Sequence, residues 1–205
     1  MPPRSYPKLP GEAGAAVRRV RRGYVPIEQL RAAINGTRDL FERSVLKVIY
    51  YCGLRASEVG LQPATAFDPI RKTLDIARLK GSSSGTYLLE PWVLQDVLAW
   101  IKRRPESEYL FPHPADSTFP LDRFSVFRIW GHATKRAGLE LRMRHPHVLK
   151  HSLATHMLER GDDILFVQQW LGHKRLESTQ VYAELTGKRL QAGQQIIRGL
   201  VGELE

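Results

Sequence analysis

Between His147 and Tyr182 the chain gathers side chains that a phosphate group would need. His147 and Lys150 stand three residues apart, His173 follows a glycine, and Tyr182 comes nine residues later. An imidazole can carry a proton, an ammonium can hold charge on oxygen, and a phenol hydroxyl can attack and then leave from a covalent ester. Together they suit transfer of a phosphodiester. Residues at i and i+3 share a helical face, and Pro146 is well placed to open a helix. The pair would then sit at the positive end of the helix dipole, where unpaired backbone N–H groups favour an anion.

The elements that must position these groups follow from patterning. Leu149, Leu153, Ala154, Met157 and Leu158 form an apolar stripe for the first helix, and Gly161 can end it. Asp162 or Asp163 caps a second helix, ILFVQQWL, which stops at Gly172 just before His173. Upstream, IEQLRAAI and DLFERSVLKVIYYCG read as amphipathic helices, the second ended by Gly53. Its Tyr50 and Tyr51 read as packing residues. Residues 64 to 90 change to alternating segments with turn signals at Asp68-Pro69 and Gly81 to Gly85, which fits three short antiparallel strands with Lys80 at a hairpin tip. An amphipathic helix, WVLQDVLAWIKRR, a proline-marked polar loop through Pro105, Pro112, Pro114 and Pro120, and a helix DRFSVFRIWGHATKRAGL follow. In that last helix Arg128, Lys135 and Arg136 face either phosphate or water. The fold class is mainly α with a small three-stranded antiparallel sheet.

The pattern H-x-x-(R/K)-H, L-G-H, Q-x-Y, carried by His147 to His151, Leu171 to His173 and Gln180 to Tyr182, resembles the C-terminal half of the catalytic domain of tyrosine recombinases, the family of phage integrases and Xer-type resolvases. Tyr51 to Leu61, YCGLRASEVGL, resembles that family's first box, and the resemblance makes Arg55 the first catalytic arginine with Glu58 as its support. Read from the residues alone, Glu58 is equally an ordinary surface ion-pair partner for Arg55. The segment RLKGSSSGTYLLEP stands where the family carries its hairpin lysine, which nominates Lys80. The match runs from about Pro26 to about Leu190. It implies the recombinase catalytic-domain fold, attack by Tyr182 to give a 3′-phosphotyrosine, charge stabilisation by Arg55, Lys150 and His173, proton transfer by His147, and protonation of the leaving oxygen by Lys80. It also implies a duplex DNA substrate, assembly into a tetramer on DNA, and no cofactor.

The sequence departs from the family pattern in its second box, where Lys150 stands in place of arginine. Lysine keeps the charge and loses the planar fork that grips two phosphate oxygens. A second basic residue after the hairpin lysine is replaced by Ser82, Ser83 and Ser84. Lys150 keeps one rival open, a DNA-binding regulator of the same fold that has lost catalysis; a second rival, a type IB topoisomerase, shares the chemistry.

Composition agrees with a polyanionic partner. The 205 residues hold 31 basic and 21 acidic side chains, a formal charge of +10. The single cysteine, Cys52, cannot form an internal disulfide, and no stretch approaches the roughly 20 apolar residues that span a bilayer. A cytoplasmic, nucleoid-associated protein without membrane contact is expected. Residues 1 to 23 are rich in proline and carry VRRVRRG, and read as a flexible basic arm whose Arg18, Arg19, Arg21 and Arg22 either contact DNA or are simply solvated. Residues 24 to 205 read as the catalytic domain, with no N-terminal core-binding domain ahead of it. The C-terminal run TGKRLQAGQQIIRGLVGELE reads as an amphipathic helix, docked on a neighbour or on its own domain. His145, His147, His151 and His156 lie close in sequence, but no carboxylate falls between them. No metal is expected, and His151 and His156 read as supporting or packing groups on their helix. His113 and His132 carry no signal.

Overall fold

The computed structural model describes residues 23 to 174. Tyr182, the arginines at 18, 19, 21 and 22, and the C-terminal amphipathic run lie outside the described residues.

Helix α1, Ile27–Asn35, and α2, Leu40–Cys52, begin and end where local chemistry directs. The Asp39 carboxylate caps α2 by accepting from the Glu42 N–H, and Gly53 closes it in the left-handed region at φ 62°. Val45, Leu46, Val48, Ile49 and Cys52 are fully buried, so α2 is the central helix. It packs on α1, on α3, Pro91–Ile101, on α4, Arg123–Arg136, and on α5, His147–Glu159. Each of its buried aliphatic side chains contributes about 1.5–3 kcal/mol of burial free energy. The last helix, α6, Ile164–Trp170, is capped by Asp163, whose carboxylate accepts from the Leu165 N–H.

The expected three strands are β1, Phe67–Asp68, β2, Thr73–Ile76, and β3, Gly85–Leu88. They form an antiparallel sheet in the order β1-β2-β3, with Leu74 opposite Phe67 on one side and Tyr87 on the other. Leu74, Ile76 and Tyr87 turn into the core. The proline-marked loop holds more order than its composition suggests. Within it β4, Pro112–His113, pairs with β5, Asp116–Pro120, and His113 Nε2 lies 3.3 Å from the Asp122 carboxylate that caps α4. His113, silent in the sequence, thus ties that hairpin to a helix start.

Arg136 answers the question left open for α4. Its Nε donates to the Gly36 carbonyl at 2.7 Å and its Nη2 lies 3.3 Å from Glu42, so its guanidinium fastens α4 to the α1–α2 junction. Arg128 and Lys135 are exposed on the same helix. Among the described residues no helix is long and apolar enough to cross a membrane, and none of the His, Cys, Asp and Glu side chains forms a group that could hold a metal ion.

Candidate functional site

The site is assembled where the ends of α2 and α6 meet under the β2–β3 connection. Gly53 ends α2 and lets the chain turn into a 3₁₀ segment, Ala56–Leu61, with Arg55 just before it. The positive φ at Gly53 favours glycine, and a Cβ there would lie 2.5 Å from Leu171 Cδ2 and so would displace that side chain. The short 3₁₀ turn places Glu58 back over Arg55. Glu58 accepts from the Arg55 backbone N–H at 2.9 Å and from Arg55 Nη1 at 2.7 Å. Glu58 is fully buried, whereas the Arg55 side chain remains about one third open to solvent. The pair is therefore a buried carboxylate aiming a guanidinium outward, not a surface ion pair. Burial alone would push the Glu58 carboxyl up, but the hydrogen bond from the Arg55 N–H and the Arg55 and Lys150 charges outweigh it and hold the group below its usual range.

The β2–β3 connection closes over Arg55. Arg55 Nη1 also donates to Ser82 Oγ at 2.6 Å, while the backbones at Ser82 and His173 pair in an isolated antiparallel bridge, in which the Ser83 N–H donates to the Gly172 carbonyl. Gln62 anchors the start of this connection, donating from Nε2 to the Glu58 and Ala77 carbonyls and accepting from the Ala77 N–H. Lys80 stands exposed at the tip, two residues before Ser82.

Lys150 enters from α5 and is 5 % exposed. Its Nζ donates to the Leu171 carbonyl at 2.8 Å. Burial, then the Arg78 and Arg55 charges, push its pKa down to about 7, with Glu58 acting in the opposite direction. His173 shares this surrounding. Burial, then Lys150, Arg55, Arg78 and His151, lower its pKa to about 3, so at neutral pH the ring is an uncharged imidazole with one N–H to donate. The structure thus brings Arg55, Glu58, Lys150 and His173 into one cluster, with His151 near enough to act on His173.

His147 stands at the start of α5, exposed, with its ring stacked on His145 at 4.9 Å. One expectation is corrected at this helix end. The N–H groups of His147, Val148 and Leu149 already donate to His145 Nδ1, the His145 carbonyl and the Pro146 carbonyl. An anion here would be held by side chains rather than by an empty helix terminus. Farther along α5, His156 is a packing residue: its Nδ1 lies 2.8 Å from the Tyr50 hydroxyl and its ring meets Tyr24 edge-on.

Sequence reasoning missed Arg78, Ser82 and Gln62. Arg78 is the most consequential, since its fully buried side chain reaches Glu58, Tyr87 and three backbone carbonyls. Nothing local marks it as more than a basic residue beside a turn.

The chain as a whole is similar to known proteins. The phage integrase family model matches residues 26–189. A tyrosine recombinase XerA from Thermococcus kodakarensis is 31 % identical over 205 residues, covering 96 % of this chain and 68 % of the relative. A tyrosine recombinase XerD from Pseudomonas putida is 31 % identical over 165 residues, covering 76 % of this chain and 52 % of the relative. The chain spans roughly half to two thirds of the length of such curated relatives. Among solved structures, a XerA recombinase superposes with a TM-score of 0.71 at 23 % identity, covering 85 % of this chain and 63 % of that one. The catalytic domain of bacteriophage HP1 integrase superposes with a TM-score of 0.60 at 18 % identity, covering 84 % and 94 %. At these identities the superpositions establish the fold.

Proposed function

This chain belongs to the phage integrase family, and from that premise we propose that it cleaves and rejoins duplex DNA through a covalent 3′-phosphotyrosine on Tyr182. One observation supports this reading above the others: the single buried carboxylate Glu58 is shared by Arg55 at 2.7 Å and Arg78 at 3.4 Å, and both guanidinium charges act on the buried Lys150. Such a cluster is short of negative charge, and a phosphodiester supplies it.

The Tyr182 hydroxyl attacks the scissile phosphorus, the P–O bond to the 5′ oxygen breaks, and the ester to tyrosine keeps the bond energy for religation. The solvent-facing edge of Arg55, the Lys150 ammonium and the neutral His173 N–H stabilise charge on the non-bridging oxygens. His147 takes the tyrosine proton and returns it on religation. Lys80 protonates the departing 5′ oxygen. Neither a cofactor nor a metal ion takes part. Residues 24 to 205 serve as the catalytic unit, four copies of which assemble on two duplexes. The basic arm, through Arg18, Arg19, Arg21 and Arg22, and the exposed Arg128 and Lys135 add phosphate contacts. Arg136 is committed within the fold and is dropped from that set. A protein with this substrate belongs with the nucleoid.

A second reading, a DNA-binding regulator with weakened catalysis, draws on the burial of Lys150 and its bond to the Leu171 carbonyl, which direct the ammonium inward. One experiment separates the two. The chain is incubated in EDTA with nicked duplexes, and an SDS-resistant protein–DNA adduct is scored beside a gel shift. Adduct in the native chain and none in Tyr182→Phe, with the shift retained in both, supports the transferase. A shift without adduct in the native chain, followed by strong adduct in Lys150→Arg, supports the regulator.

A further inference from the structure

Arg78 has no part in the chemistry just described, yet its guanidinium lies at the junction of the elements that carry it. Nη2 donates to the Cys52 carbonyl at 2.6 Å, to the Tyr87 hydroxyl at 2.7 Å and to the Trp170 carbonyl at 3.3 Å. Nη1 donates to the Gly53 carbonyl at 3.1 Å and meets Glu58 Oε2 at 3.4 Å. The Tyr87 hydroxyl passes its own hydrogen to the Trp170 carbonyl. These partners are the end of α2, the buried carboxylate that aims Arg55, the strand after the Lys80 connection, and the end of α6 that leads to His173.

We infer that Arg78 is a positioning residue for strand cleavage, its planar fork locking the Arg55–Glu58 pair and the His173 turn to the two strands that flank Lys80. The inference rests on the transferase reading for the reaction it serves. A planar guanidinium with donors on two nitrogens can satisfy acceptors lying in several directions at once; an ammonium offers a point charge from a flexible stem and cannot span them. The packing around it agrees. A Cβ on Gly172 would lie 2.6 Å from both Arg78 Nε and the Ser83 carbonyl, at a residue with φ +65°. The glycine before His173 is thus the space that the Arg78 side chain passes through.

Arg78 acts by charge as well as by shape. The charged groups acting on Lys150 are Arg78, Arg55 and Glu58, with burial as the larger influence. Removing the Arg78 charge therefore raises the Lys150 midpoint, and a merely structural arginine elsewhere in the core would not.

The test uses the full chain and the variants Arg78→Lys, Arg78→Gln and Tyr87→Phe. Single-turnover adduct formation on saturating nicked duplex is measured with DNA affinity, and the Lys150 midpoint is read by NMR without DNA. Arg78→Lys and Arg78→Gln are expected to slow adduct formation about tenfold or more, as misplacement of catalytic groups does, with DNA affinity held within about threefold. The Lys150 midpoint rises in Arg78→Gln and stays near its native value in Arg78→Lys, which separates charge from fork. Tyr87→Phe removes one partner and is the milder probe should either arginine variant fail to fold. It is expected to slow adduct formation about twofold to fivefold with the fold intact. Adduct rates within about twofold of native in the folded variants overturn the inference, as does a Lys150 midpoint that does not move in Arg78→Gln. No adduct from the native chain would instead count against the transferase reading, and the Lys150 midpoints would still decide whether Arg78 bears on the cluster.

Discussion

Two buried lysines in this protein are held in opposite ways. Lys47, on α2, is 7 % exposed and Lys150, on α5, is 5 % exposed. Lys47 meets Asp96 at 2.6 Å, donates to the Trp92 carbonyl at 2.7 Å and lies over the Trp92 ring. Arg43 joins the same carboxylate, so the α2–α3 interface is a closed ion group. Lys150 has a backbone carbonyl as its bonded partner, with Arg55 and Arg78 close enough to depress its pKa. The first arrangement is complete within the chain. The second shares one carboxylate, Glu58, among Arg55, Arg78 and Lys150, and that shortage of negative charge sets the proposed site apart from the structural ion group in a protein that buries lysines in both.

The largest expected effect comes from removing the best-oriented cation. Arg55→Ala should lower the single-turnover adduct rate about 10²–10³-fold, the cost of losing a fixed donor to developing charge. Thermal stability should fall as well, because the fully buried Glu58 carboxylate loses its closer guanidinium and keeps only Arg78, so the rate is compared among folded molecules. A rate within tenfold of native would place the cluster outside the reaction.

Next in size is damage to the closed group. Asp96→Asn leaves Lys47 and Arg43 facing a neutral amide and should cost about 3 kcal/mol in urea unfolding, with adduct formation unchanged once the variant is folded. The two lysines themselves should then differ in sign. Lys47→Met should destabilise the chain by about 1–2 kcal/mol, and Lys150→Met should stabilise it by about 1 kcal/mol while impairing cleavage. Equal signs would erase the distinction drawn here.

The pH dependence follows from the same lysine. Its folded midpoint, about 7, lies below the unfolded value. Between the two the unfolded chain binds the extra proton, so the Lys150 contribution to stability rises as pH rises from about 7 toward the unfolded midpoint and is least below 7. In Lys150→Met this slope should be absent. The smallest effect belongs to an exposed pair: Glu140→Gln, which breaks the Glu140–Arg142 contact on the surface, should change stability by under about 0.5 kcal/mol.

The helices were legible in the sequence because their ends are written locally. Gly53, Pro146 and Gly172 act within a few residues of themselves, and each marks a helix end where patterning put it; of Asp162 and Asp163, the structure makes Asp163 the cap. The three-strand sheet was legible from its turns. The cluster was legible only in part. Arg55, Lys150 and His173 were named through family motifs, but how they meet depends on contacts far apart along the chain. The Arg78 partners lie 9 to 92 residues away, and the Lys150 acceptor 21. Arg136 shows the same limit. As one basic residue on an amphipathic helix it reads like Lys135, and only packing against Gly36, a hundred residues distant, tells them apart. The short β4–β5 pair was hidden because prolines obscure strand alternation.

The central claim is that a DNA phosphate completes the charge of the Lys150 cluster. The direct measurement is the Lys150 midpoint by NMR, assigned with Lys150→Arg, in the free chain and on a non-cleavable duplex at low salt. A midpoint near 7 in the free chain that rises by more than about one unit on DNA is the predicted result. The same midpoint in both states would contradict the account, because the ammonium would then face no phosphate.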